Sequence, residues 1–444
     1  MKVKILTKDG VSYLFPFILI TTCFALWGFA NDMTGPIVKA FSKIFRTSVT
    51  EGALVLVAFY LGYFAMAFPA AKFIQRYSFK AGVMVGLSLF AIGSFLFFPA
   101  KLIGAYYPFL LAYFILTCGL SFLETSSNPY IYCMGSEDTG TRRLNLAQAF
   151  NPIGALMGMY VAMQFVQARM SGMTTQQRMR LPEVQFNMLK DNDLEVLIGP
   201  YLGLGVICLI LLVIIFIRKM PKAGETGIDK PLKVAIIELL HIKNYREGVL
   251  AQFFYVGAQV TCWTFIIQYG TRVFMEEGMN EKAAEILSQK YNIAAMVFFT
   301  VGRFICTWFL KYISPGRLLS ILGIMAACFA AGAIVFTDRN GVYCLVAISA
   351  CMSLMFPTIY GIALRGVGEN VKFASAGLIM AILGGSVFPP LQALIIDSGI
   401  ELFGLSSVNL SFIIPFICFI VIILYGHRAY VRHYLLKPGE KNYV

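Results

Sequence analysis

The chain has 444 residues, of which 58% are hydrophobic and only 13% charged, with a formal net charge of +13 and a mean hydropathy of +0.74. Soluble domains carry roughly 25% charged residues, and a globule of this size still needs a wetted surface, so a water-soluble fold is excluded and the apolar solvent is lipid. The ten cysteines (Cys23, Cys118, Cys133, Cys208, Cys262, Cys306, Cys328, Cys344, Cys351 and Cys418) lie in apolar stretches with no C-x-x-C or Cys/His cluster, which argues against a disulfide framework and a zinc site; no metal or cofactor is expected.

The opening MKVKILTKDG is basic, but the apolar run behind it ends in polar residues rather than a small-residue cleavage site. It reads as a first membrane helix, not a removed signal peptide. A spanning helix needs about 20 predominantly apolar residues, and such stretches fall at 13–38, 50–74, 80–100, 106–134, 143–168, 197–217, 247–271, 288–310, 315–337, 341–364, 373–396 and 408–427. The expected fold is an all-α polytopic membrane protein of twelve spans.

Span one carries Trp27, Asn31 and Asp32 in WGFANDMTGP, where Gly35-Pro36 is expected to break or bend the helix and free backbone groups. AKFIQRYSFK, between spans two and three, holds Arg76 and Lys80. Span four contains SFLETSSNPY, with Ser127 and Asn128 three and four residues after Glu124, on its face. Span five carries an amide stripe, Asn145, Gln148 and Asn151, at intervals of three in LNLAQAFNPIGA. After span six, the segment 218–246 starts Gly/Pro-rich and charged, and its second half, Lys230 to His241, reads as a short interfacial helix. It separates two six-helix halves, 1–217 and 247–444. In span seven, Gln252, Gln259 and Trp263 share a face, and span eight contains Arg303. The halves are weakly similar: Gly62-Tyr63-Phe64 matches Gly302-Arg303-Phe304, and Asn128-Pro129 matches Phe356-Pro357. Duplicated halves with a midplane site describe one large class of secondary transporters.

Charge sets the expected orientation. With the N-terminus in the cytoplasm, 23 of the 36 Lys and Arg fall on the inner side and 12 on the outer, with Arg303 inside a span. That is the positive-inside pattern, with both termini cytoplasmic, and it assigns the basic excess to anionic lipid rather than nucleic acid.

Asp32, Glu124 and Arg303 are the formal charges well inside spans, where each costs several kcal/mol unless paired or wetted. Low dielectric penalises a charged carboxylate, so Asp32 and Glu124 are candidate proton carriers; the other reading is that each only accepts hydrogen bonds or pairs with a buried base. Arg303 is expected to pair with an acid or a loop carbonyl, in a structural or gating role. Amides offer both donor and acceptor and an indole suits a sugar's C–H face, so the two stripes point to an uncharged polyhydroxylated ligand; plain interhelical hydrogen bonding is the competing account. An enzyme would need a nucleophile, metal or acid–base set, and the three histidines, 241, 427 and 433, sit at cytoplasmic edges without forming one.

The strings LETSSNPYIYCMGSEDTGTRRLNLAQAFNPIGA, VLAQFFYVGAQVTCWTF, GRFICTWFL and LGGSVFPPLQALIIDSG resemble the L-fucose–proton symporter family of the major facilitator superfamily, nearly end to end. The resemblance implies sugar import by alternating access at the bacterial inner membrane. It places Glu124 at the family's proton-coupling acid, Gln148 and Asn151 at sugar-contacting amides, Trp27 and Trp263 in the cavity wall, and Arg76 and Lys80 in the cytoplasmic signature that latches the inner gate, although Gln75 stands where that signature has an acid. The family's span-one acid falls on Gly35 here. Asp32, three residues earlier, is about 4.5 Å away along the helix. The resulting expectation is a monomeric proton-coupled importer of a monosaccharide, L-fucose first. Its proton-coupling residues are Asp32 and Glu124. Its sugar contacts come from Trp27, Asn31, Asp32, Glu124, Asn128, Asn145, Gln148, Asn151, Gln252, Gln259 and Trp263, with Arg76, Lys80 and Arg303 as gating residues. Galactose, glucose or an amino sugar is the alternative cargo, and Na⁺-driven or uncoupled transport the alternative mechanism.

Overall fold

The computed structural model describes residues 6–8, 11–46, 54–167, 169–171, 173, 175–220, 231–402 and 404–435. Among these, twelve helical stretches are long and apolar enough to cross a membrane. Span one is Leu14–Ile44, two Leu54–Arg76, three Phe79–Ile103, four Tyr106–Cys133, six Glu183–Ile217, seven Lys243–Glu276, eight Glu281–Phe309 and nine Pro315–Val335. The linker helix forms at Leu232–His241. A hairpin pairing Thr7–Lys8 with Val11–Ser12 precedes span one and has no signal in the hydropathy.

Three departures from the linear reading have physical causes. Span one runs unbroken through Gly35-Pro36, so of the expected break or bend the break does not form: one missing N–H is tolerated where any non-helical backbone would leave more groups unsatisfied in lipid. Span six starts at Glu183 rather than 197, because its first turns, EVQFNMLKDNDLEV, are polar and invisible to an apolar window. These turns are anchored by the buried Arg178–Asp193 ion pair at 2.6 Å, whose Asp193 also accepts the Ser171 N–H at 2.9 Å. Spans five, ten and eleven are interrupted: Gly140–Gln148 then Asn151–Val161, Arg339–Met352 then Met355–Ala363, Val371–Met380 then Gly384–Asp397. A proline, which lacks an N–H and crowds the carbonyl four residues back, lies just after the interruptions of spans five and ten: Pro152 and Pro357.

The chain forms two compact units. One comprises 1–135, 150–232 and 371–379; the other 136–149, 233–370 and 380–444. In the first, span four packs on spans two and three, and span three on span six. Every residue of span four from Leu116 to Tyr132 is buried, although the stretch is rich in Ser, Thr and Asn. A helix that buries polar groups on all sides marks the inside of a bundle rather than a lipid face. In the second, span seven packs on eight, eleven and twelve, and span nine on twelve. Val206, Ile210, Val213 and Phe216 of span six are 50–68% exposed, a continuous apolar face that a water-soluble monomer does not carry.

Candidate functional site

In the first unit the centre of interest is Glu124, 1% exposed. It shares a side-chain hydrogen bond with Tyr63 of span two, while its Oε2 has no partner among the described residues. Among the described residues no cation is found beside Glu124. Asn128, one turn on, is fully buried beside it in sequence. Trp27 is 7% exposed and packs its ring 5.0 Å from Phe24. Asn31 is exposed, and the side chain of Asp32 lies outside the described residues.

Asn145 and Gln148, which belong to the second unit, and Asn151, in the first, lie on either side of an interruption: span five stops at Gln148 and restarts at Asn151. The cause is Pro152, at the first turn of the new helix, which has no N–H to give the Gln148 carbonyl. Asn151 Nδ2 donates to Phe24 O at 3.2 Å, docking span five on span one where the two backbones nearly touch: a Cβ on Gly28 would overlap the Asn151 carbonyl oxygen. Asn145 is wholly buried and donates through Nδ2 to Thr141 O at 2.9 Å and Thr358 Oγ1 at 3.1 Å, with Oδ1 unpartnered among the described residues.

In the second unit, Gln252 of span seven is 0% exposed, and neither Oε1 nor Nε2 has a partner among the described residues. One donor group and one acceptor are therefore available at a buried position, the combination a hydroxyl-rich ligand uses. Gln259 is half-buried. Trp263 is half-buried too, with Nε1 donating to Ser349 Oγ at 3.2 Å and its ring edge-on to Phe299 at 5.0 Å. The indole is thereby held in one orientation.

Of the two kinds of partner expected for Arg303, an acid or a loop carbonyl, the structure shows backbone carbonyls at helix interruptions. Its Nη1 donates to Gln148 O at 2.9 Å and its Nε to Ser353 O, with the guanidinium 4.6 Å from the Phe299 ring. Those two carbonyls are the ones that Pro152 and Pro357, each four residues on, have released from helical bonding. One side chain thus satisfies the orphans at the interruptions of spans five and ten. The same device recurs in the first unit: Pro129 releases Thr125 O, which accepts from Ser375 Oγ of span eleven at 3.0 Å. Further along these segments Arg365 pairs with Asp138 at 3.1 Å, and the Glu137 carboxylate accepts the Gly366 N–H at 3.0 Å.

Of the other gating candidates, Lys80 donates to Phe216 O at 3.1 Å and Arg218 O at 2.9 Å, capping the end of span six. Arg76 is exposed, its guanidinium 5.8 Å from the Tyr77 ring. Neither Tyr63 nor Ser375 is among the candidate site residues expected from the sequence. Ser375 was findable: a polar side chain has to answer each carbonyl a proline frees in a membrane. Tyr63 had no such signal, since an isolated tyrosine in a span reads as an ordinary half-apolar side chain.

With this geometry in view, comparison with known proteins is informative. The sequence profile of the Major Facilitator Superfamily matches residues 20–390. The chain is 45% identical to the L-fucose-proton symporter of Haemophilus influenzae over 97% of its own length and 99% of that protein's. It is 30% identical to the L-fucose-proton symporter of Escherichia coli over 94% and 93%, and 28% identical to a glucose/galactose transporter of Brucella abortus over 95% of each. Among solved structures, the fucose:proton symporter of Escherichia coli in the outward conformation superposes with a TM-score of 0.85 at 30% identity, covering 94% of this chain and 99% of that one. A proton:xylose symporter superposes at 0.65 with 11% identity, which speaks for the fold alone. By profile, by relatives along its whole length and by architecture, this chain is a multi-pass membrane transporter that belongs to the major facilitator superfamily.

Proposed function

We propose that the protein imports a monosaccharide, L-fucose first, by proton symport across the inner membrane of a bacterium, with Glu124 as a proton-coupling group. The observation that carries this reading is the carboxylate itself: buried in span four, held by one hydrogen bond and open at Oε2. A buried carboxyl group with an unused oxygen accepts and releases a proton with little rearrangement, and its charge state biases whichever conformation wets it. The names of the two relatives sharing at least 30% identity point to fucose and protons.

The residues proposed to contact the sugar are Trp27, Asn31, Asp32, Glu124, Asn128, Asn145, Gln148, Asn151, Gln252, Gln259 and Trp263. Amides read hydroxyls and an indole packs on the sugar ring. Asp32 is the second candidate proton carrier, one turn from Gly35. The moving bodies are the sequence halves 1–217 and 247–444, joined by 218–246. Arg303 acts in gating through its hold on Gln148 and Ser353, and Arg76 and Lys80 brace the inner ends of spans two, three and six. Both termini face the cytoplasm, lipid surrounds a single copy, and no cofactor takes part.

The deciding experiment is labelled L-fucose uptake into proteoliposomes with and without an inward proton gradient. Accumulation that requires the gradient supports symport; equilibration indifferent to it removes proton coupling and leaves facilitated or Na⁺-driven transport; no entry at all removes fucose and turns attention to galactose and glucose. Asp32→Asn and Glu124→Gln, compared in the same assay, identify which acid carries the proton.

A further inference from the structure

We propose that Tyr63 is the positioning residue for the Glu124 proton site, fixing which carboxylate oxygen is protonated and setting the pH range over which transport is coupled. The inference rests on Glu124 carrying a proton, as proposed above.

Three observations place Tyr63 there. It is 4% exposed and its phenol shares a hydrogen bond with the Glu124 carboxyl group. Its backbone is pinned to the same helix, because Ser121 Oγ donates to Tyr63 O at 3.0 Å. Just before it, Gly62 brings span two against span four, where a Cβ would overlap Thr117 Oγ1 and lie 3.0 Å from Phe114 O. A glycine contact and a serine clasp therefore hold the backbone of span two against span four at Tyr63.

The consequence follows from donor and acceptor chemistry. A phenol O–H donates to an ionised carboxylate oxygen. When a proton arrives on the open Oε2, the other oxygen becomes the carbonyl of a carboxylic acid and still accepts from Tyr63. The hydrogen bond survives both charge states, no tyrosine proton is transferred, and protonation at Oε2 alone avoids breaking it. Because a donated hydrogen bond favours the charged form, Tyr63 also makes the proton easier to release. The other titratable groups of the packed elements lie elsewhere along them: Tyr60, Lys72 and Arg76 on span two, with Tyr60 acting on Tyr63 itself. Among the described side chains, span three has Lys80 and Lys101 at its ends, span eleven has Lys372, whose ammonium lies 5.4 Å from the Phe79 ring, and span one has Lys43.

The test is the pH profile of gradient-driven L-fucose uptake in proteoliposomes for the native protein, Tyr63→Phe, Glu124→Gln and, as a control, Tyr107→Phe at a 73% exposed position. Tyr63→Phe is expected to move the alkaline limb of the profile upward by about one pH unit, the size of one hydrogen bond to a charged group, with Tyr107→Phe unmoved. Placing 3-fluorotyrosine at 63, which keeps the shape and strengthens the donor, is expected to move the limb downward. A Tyr63→Phe profile that overlays the native one after scaling, with no response to fluorination, reduces Tyr63 to packing and overturns the inference while leaving symport intact. Undiminished accumulation by Glu124→Gln overturns the assignment of Glu124 itself, and the role of Tyr63 with it.

Discussion

Tyr63 and Arg303 stand at matching places in the repeated halves, Gly62-Tyr63-Phe64 and Gly302-Arg303-Phe304, yet the fold uses them in opposite ways. Arg303 is held by fixed partners: its guanidinium donates to two carbonyls that prolines have released and lies against the Phe299 ring. Tyr63 meets a carboxylate whose second oxygen is left open. The lesson is that a buried charge tied to backbone carbonyls holds structure, and a buried carboxylate with an open oxygen is available for chemistry. Both are expensive in lipid, but only the second retains a reason to change its charge.

The sharpest way to break that contrast is to neutralise Glu124. Glu124→Gln keeps the size of the side chain and removes the titration, so gradient-driven sugar accumulation is expected to vanish while sugar-for-sugar exchange is the measurement that shows whether binding survives. Loss of accumulation with exchange intact separates proton coupling from recognition.

Next in size is Arg303→Met, which leaves the carbonyls of Gln148 and Ser353 without their donor. Each unsatisfied buried group costs about 1–3 kcal/mol, so for the two carbonyls destabilisation of about 2–6 kcal/mol is expected, read as a lower unfolding midpoint in detergent. Arg303→Lys, which donates but cannot fork, should recover only part of it. A Met variant as stable as the native protein would show that the two carbonyls do not depend on Arg303.

A gentler probe restores the helix instead of removing the cation. Pro152→Ala and Pro357→Ala supply the missing N–H groups, which then compete with Arg303 for Gln148 O and Ser353 O. The expected outcome is a smaller loss of transport than for Arg303→Met, and a double mutant cycle with Arg303→Met in which the effects fail to add. Simple additivity would mean that prolines and arginine act separately.

The smallest effect belongs to the Asp138–Arg365 pair, whose Asp138 side chain is 78% exposed. Asp138→Asn is expected to change stability by less than about 1 kcal/mol, and less still in high salt. A large effect would promote this pair from a surface contact to part of the closure.

The amino-acid sequence by itself determined the twelve spans, the linker helix near 230–241 and the identity of the charges that have no business in lipid. These follow from local quantities: the length of an apolar run, and the cost of a carboxylate or guanidinium placed within one. It also held the prolines at 129, 152 and 357, and with them the knowledge that three carbonyls would need donors. What it left open was who answers. The amide stripe of span five is spaced for an uninterrupted helix, and the helix is interrupted between Gln148 and Asn151, just before Pro152. The partners of Glu124, Thr125, Gln148 and Ser353 lie dozens to hundreds of residues away along the chain, at Tyr63, Ser375 and Arg303. Hydrogen bonds reach about 3 Å and depend on direction, so only the packing of one helix against another decides which side chain arrives within that reach.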